Sequence, residues 1–129
     1  MENKKFNPVA WFEIYVDDME RATKFYETVF NVQLTEMPVP GDAPMLMKSF
    51  PGFEDGIGAS GTLVKMDGLK AGGNSTIVYF GCMDCAVEES RVVNAGGSVH
   101  QPKMSIGEYG FCSIIMDSEG NTVGLYSMN

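Results

Sequence analysis

The hydrophobic pattern changes period inside one short stretch, "AWFEIYVDDMERATKFY", residues 10–26. From Trp11 to Val16 it alternates. Phe12, Ile14 and Val16 share one side of a strand, and Trp11, Glu13 and Tyr15 share the other. Asp18 then fits a helix N-cap, and Glu20 lies in the first turn, where an acid complements the helix dipole. Ala22, Phe25, Tyr26, Val29 and Phe30 follow at helical spacing. The spacing therefore predicts a strand whose Phe12 side packs on the following helix. Its other side, two aromatics and a carboxylate, faces something else.

The same pattern recurs in "TIVYFGCMDCAVEESRVVNAGG", where Val16, Asp18 and Met19 map onto Cys82, Asp84 and Cys85 at a constant offset of 66. Val78, Phe80 and Cys82 become the helix-facing set, and Ile77, Tyr79 and Gly81 the opposite set. Short strand-like runs follow each helix: "VQLTEM", "APMLMKSF" and "IGASGTLVKM" after the first, then "SVHQPKM", "GFCSIIMD" and "NTVGLYS" after the second. Both halves read βαβββ, and a duplication explains this economically. The chain is expected to form a single α+β domain over residues 1–129. Module one covers about 8–67, a Gly-rich connector covers 68–74, and module two covers about 75–129. Each half alone would leave a sheet face and an edge uncovered.

Composition narrows the function. The formal net charge is −8, with −5 in residues 1–67 and −3 in residues 68–129. A spread acidic balance argues against nucleic acid, which demands a basic surface. No basic amphipathic helix suggests a membrane surface. The start, "MENKKFNPVAWF", has no long apolar run of the kind a leader or spanning helix needs. Three cysteines, an odd number, do not make a disulfide framework, and a reduced, cytoplasmic protein is expected.

Two βαβββ modules of this size resemble the vicinal oxygen chelate superfamily, which includes glyoxalase I, extradiol dioxygenases, and fosfomycin- and bleomycin-resistance proteins. The chain resembles in particular the compact glyoxalase-like proteins of bacteria. The resemblance rests on "VDDMERATKFYETVF", on the "AGG" that ends the second helix, and on "MDSEGNTVGLYS". The last is similar to the family's DP-x-G-N turn, with Ser118 in place of proline. It implies a sheet curled around a cleft with the helices outside. The faces away from the helices would line that cleft. The expected ligand-binding residues are thus Trp11, Glu13, Tyr15, Ile77, Tyr79, Gly124 and Tyr126, with Phe111 less securely placed in register. Metal-dependent relatives take their ligands from positions that map onto Trp11, Ile77, Gly124 and, in module one, Thr62. Trp, Ile and Gly offer no side-chain ligand to a divalent ion. No metal and no cofactor are therefore expected.

Other motifs carry less. His100, the only histidine, reads as a partly exposed residue at a strand start. "CMDC", Cys82 to Cys85, could be a redox pair at a helix N-terminus. Its cysteines equally occupy the packing positions of Val16 and Met19, and Cys112 reads as a small core residue. "GIGASG", residues 56–61, lacks the Lys-Ser/Thr of a phosphate loop and reads as a bent or bulged sheet segment. Two functions follow. The first is a non-metal binding protein for a small, partly aromatic or cationic molecule, with Glu13 as anchor. The second is a metal-independent lyase or isomerase in which a desolvated Glu13 is general acid or base. A metal-dependent glyoxalase or dioxygenase ranks third. A homodimer is expected, because such sheets leave edges and apolar surface to cover.

Overall fold

The computed structural model describes residues 7–39, 42 and 44–129. Its elements run β1 (Phe12–Tyr15), α1 (Met19–Phe30), β2 (Thr35–Glu36), β3 (Met45–Ser49), β4 (Gly61–Met66), β5 (Tyr79–Gly81), α2 (Cys85–Val92), β6 (Ser98–Ser105), β7 (Phe111–Met116) and β8 (Thr122–Ser127). A single 3-10 turn, Gly107–Tyr109, joins β6 to β7. The strands form two four-stranded sheets, ordered β1-β4-β3-β2 and β5-β8-β7-β6. In each sheet the first strand runs parallel to the last and the other neighbours are antiparallel. This is the α+β fold of paired βαβββ modules. The sheets stay separate, without closing into a barrel.

Both helices begin where the sequence predicts. Asp18 caps α1 by accepting the Arg21 N–H at 3.0 Å, and Asp84 caps α2 by accepting the Ala86 N–H at 2.9 Å. Ala22, Phe25, Tyr26 and Val29 of α1 are fully buried. They pack on Ile14, Val16 and Leu63 from one sheet and on Ile115, Val123 and Leu125 from the other, in a single core. Phe80 stacks on Phe30 at 4.4 Å and meets Phe12 edge-on at 5.8 Å, so aromatics weld the two modules.

Two local expectations change. The "GIGASG" stretch is largely a loop that leads into β4, with Gly58 at φ 90°, not a bulged sheet segment. The irregular strand is β6, whose register slips between Val99 and Gln101 and again between Gln101 and Met104. β5 is also shorter than its pattern suggests, so Ile77 lies before its first residue, as Trp11 lies before β1.

Candidate functional site

Residues paired across a ladder share a face. Glu13 pairs with Thr62, and Tyr15 with Val64. In module two, Tyr79 pairs with Gly124 and Gly81 with Tyr126. The register thus puts Glu13, Tyr15, Thr62, Tyr79, Gly124 and Tyr126 on the helix-free faces. It also makes Thr62 the counterpart of Gly124. On these faces Thr62 is buried and Tyr79 is 49% exposed, while Trp11 and Ile77, which precede the strands, are 44% and 40% exposed. Gly124 is buried, because the Tyr79 ring lies over it. A Cβ added there would come within 2.3 Å of the ring's Cδ2. Tyr126 donates its hydroxyl to the Tyr109 carbonyl at 2.5 Å.

Phe111 is different. It pairs with Ser127, whose hydroxyl accepts the Cys85 N–H at 3.0 Å on the helix side. Its ring packs against the main core with the Lys103 ammonium 4.6 Å from its centre. The structure separates Phe111 from the other residues of the expected set. The β7 register, invisible in a short apolar run, decides this.

A cavity of about 380 Å³ opens where the modules meet. β1 contributes Glu13 and Tyr15, and β8 contributes Thr122. Leu69, Lys70, Asn74 and Thr76 come from the connector and the approach to β5. In the sequence, residues 68–74 read only as a Gly-rich connector. The one signal for a wall there was the lysine among the glycines. Glu13 accepts the Tyr15 hydroxyl at 3.0 Å. Partial burial and the neighbouring Glu13 raise the Tyr15 pKa, so at neutral pH the phenol is a donor. Glu13 itself is exposed and not enclosed by aromatic rings. A donor, an acceptor and an ammonium therefore surround an apolar floor of Val78 and Val123. Such a wall can bind an organic molecule and orient it. Of the residues expected to bind a ligand, Glu13 and Tyr15 are in this wall, whereas Trp11, Ile77, Tyr79, Gly124 and Tyr126 are not.

The cysteines lie apart from it. All three are free thiols. Burial and the nearby Glu88 carboxylate push the Cys82 pKa up to about 12, so it is not a thiolate at neutral pH. Cys85 is fully buried. His100 is exposed on β6. Among the described residues, no three His, Cys, Asp or Glu side chains stand close enough to share a metal ion.

The bleomycin resistance protein-like N-terminal family profile matches residues 9–45. Over 121 residues the chain is 29% identical to CFP32 of Mycobacterium bovis, a protein assigned by name to the glyoxylases, and equally to its Mycobacterium tuberculosis namesake. That match covers 92% of this chain but only 45% of those proteins, so the chain spans less than half their length. Among solved structures, glyoxalase I of Zea mays aligns over 94% of this chain and 46% of its own, with TM-score 0.74 and 21% identity. TnmS3, an antibiotic binding protein from Streptomyces sp. CB03234, aligns over 97% of this chain and 98% of its own, with TM-score 0.70 and 21% identity. The chain thus shares the fold of these glyoxalase- and antibiotic-binding proteins, and its first third resembles the bleomycin resistance protein-like N-terminal family.

The turn that resembles the superfamily's DP-x-G-N motif is the clasp between the modules. Asp117 accepts the N–H groups of Glu119 and Asn121, both at 2.8 Å, and the Tyr26 hydroxyl at 2.6 Å. Burial, then the Asp117 charge, raises the Tyr26 pKa well above its usual value, so the phenol stays protonated. Glu119 crosses to module one and accepts the Asp17 and Asp18 N–H groups at 3.0 and 2.9 Å, and both Arg21 Nε and Nη2. Asn121 donates to the Tyr15 carbonyl at 3.0 Å and accepts the Gly72 N–H at 2.7 Å. The turn therefore fixes both Tyr15 and the connector, two walls of the cavity.

Proposed function

We propose that this protein binds a small, partly aromatic organic molecule in the cavity between its modules, without a resident metal. One observation carries the reading. The cavity is open, and its wall holds Glu13, the Tyr15 hydroxyl and Lys70, where a solid core would place aliphatic side chains. Glu13 suits a cationic or hydrogen-bond-donating group, and Lys70 suits an anionic one. The likeness to TnmS3 over nearly its full length gives a small-molecule cargo further support. The likeness to CFP32 and glyoxalase I supports the fold and leaves activity to experiment.

The donor set argues against the metal that the superfamily implies. At its ligand positions this chain has an indole, a butyl side chain, a bare backbone and the hydroxyl of Thr62. That hydroxyl is buried without a hydrogen-bond partner, and a lone neutral hydroxyl is a weak ligand for a divalent ion. These residues do not fit a metal. Added Zn²⁺, Ni²⁺, Mn²⁺ or Fe²⁺ is accordingly expected to leave the melting temperature unchanged, since a bound ion would raise it by linkage. A metal-dependent rise with stoichiometric metal by elemental analysis would overturn this.

Trp11, the only tryptophan, stands half-exposed just before β1 and provides a fluorescence reporter for a ligand screen. For a hit, Glu13→Gln and Tyr15→Phe are each expected to weaken binding about tenfold, the order of one charge-assisted hydrogen bond. Unchanged affinity in both variants would remove the cavity from consideration. The Tyr15–Glu13 bond also favours a second reading, a metal-independent enzyme in which the pair passes a proton. Turnover lost in Glu13→Gln with binding retained would select it.

A reduced, cytoplasmic homodimer is part of the same proposal. Trp11, Ile77, Tyr79 and Met104, each at least 40% exposed, leave apolar surface for a second copy to cover. Sedimentation should show twice the 14.1 kDa chain mass. A concentration-independent monomer would refute the dimer.

A further inference from the structure

On the helix side, away from the cavity already described, a second pocket of about 270 Å³ lies between the end of α1, the α2 helix and the loop before β4. Its wall is unusually uniform. Phe12, Phe30, Phe50, Phe53 and Phe80 all contribute rings. Phe50 stands 5.6 Å from Phe12 and 5.5 Å from Phe80, so the rings form one continuous surface. Phe53 is 80% exposed on the loop, where burial in the free chain does not explain it.

Glu88 reaches this pocket from α2. Its Oε1 is sealed from solvent and has no hydrogen-bond partner. A carboxylate oxygen in that state is costly, because it has given up water without gaining a full hydrogen bond. The side chains nearby do not repair this. Ser60, the other polar side chain of the wall, donates its hydroxyl to the Phe50 and Pro51 carbonyls. The Cys82 thiol lies beside Glu88 and interacts with it, but it is a weak donor whose better-formed hydrogen bond goes to the Phe80 carbonyl at 3.5 Å, so Oε1 still lacks a full partner. The two ion pairs among the described residues are Arg21–Glu119 and Lys103–Asp84, and neither includes Glu88.

We propose that this pocket is a second binding site, for a small organic ammonium ion held by Glu88 and the phenylalanine rings. The charge complementarity is specific. Ring faces attract a cation, and a desolvated cation gains most from them. An apolar neutral molecule would leave the carboxylate unpaired. An inorganic divalent ion would need several oxygen or nitrogen ligands, and the pocket has one carboxylate with no second free side-chain donor. An alkylated ammonium satisfies both the charge and the apolar wall. The site depends on none of the residues proposed to bind a ligand in the first cavity.

The test is amide NMR of the full chain, titrated with choline and separately with 3,3-dimethylbutan-1-ol, its uncharged analogue of matching shape. Choline is expected to give saturable shifts at Ser60, Phe80, Gly81 and Glu88. The alcohol should bind at least about tenfold more weakly. Glu88→Gln should reduce choline affinity by a similar factor. Phe53→Ala, at an exposed position where folding is not at risk, should weaken it about threefold and carries the test if the Gln variant fails to fold. Equal binding of the two probes would overturn the proposal. So would undiminished choline affinity in Phe53→Ala and in any folded Glu88→Gln protein. Shifts confined to Glu13, Tyr15 and Lys70 would also overturn it, since the cation would then belong to the first cavity.

Discussion

Replacing Glu119 by alanine is expected to lower stability at pH 7 by about 3 kcal/mol, a large share of what a domain this size holds in reserve. The side chain is fully buried and accepts two backbone N–H groups of the α1 N-terminus as well as the Arg21 fork. Truncation leaves the Asp17 and Asp18 donors without their acceptor and cuts the tie between modules. Breaking a wholly buried pair costs more, but Arg21 is 54% exposed and can return to water. Arg21→Ala should therefore cost clearly less than Glu119→Ala.

The pH dependence of this interaction has a definite sign. Burial alone would raise the Glu119 pKa. The bonds from Arg21, the Asp18 and Asp17 amides and Ser118 outweigh it and hold the value at about 2, below the ordinary 4.5. A carboxylate depressed in this way stabilises the fold fully above its unfolded pKa, and that contribution is lost as pH falls toward 2. Urea unfolding of the wild type and Glu119→Gln should differ by a constant amount above pH 4.5. The gap should then shrink steadily toward pH 2. An equal gap at pH 7 and pH 2.5 would show that the charge is not the source.

Gly97→Ala is the second large effect, again about 3 kcal/mol of destabilisation. A Cβ at Gly97 would stand 2.2 Å from the Met116 carbonyl oxygen and 2.6 Å from Cε1 of Phe25. Neither can retreat. Met116 is paired with Ser98 in the β6–β7 ladder, and Phe25 is fully buried against Tyr26. Gly124→Ala gives the contrast. Its Cβ would meet the Tyr79 ring at 2.3 Å, but that ring is half-exposed and can swing outward, so the cost should be about 1 kcal/mol. Unfolding midpoints of the two variants decide this. Equal losses would mean that the rigidity assigned to the Gly97 contact is wrong.

The "AGG" that marks the end of the second helix in the sequence thus has two physical jobs. Gly96 takes φ 106°, a conformation that side chains resist, and Gly97 lets β6 start directly against Phe25. The Asp18 and Asp84 caps, the alternation around Phe12 and Phe80, and the buried stripe of α1 were equally legible. Each depends on residues within a turn or a strand of one another.

The candidate site was legible only in part. Periodicity assigned Glu13, Tyr15 and Tyr79 to the helix-free faces because strand alternation is a local rule. It could not assign Phe111, whose face depends on the β7–β8 register, nor the cavity wall at Lys70, Asn74 and Thr76, which exists because Asn121 and Asn74 pin the connector to β8. Glu119 and Glu88 were equally hidden. One finds its partners about a hundred residues away, and the other has an oxygen, Oε1, buried without a hydrogen-bond partner. Period and capping suffice for the two modules, their helices and the faces of their first strands, because each is a rule that acts within a few residues. Which side chains of the two modules meet across their junction depends on how two separate sheets pack, and chain-local periodicity carries no information about that.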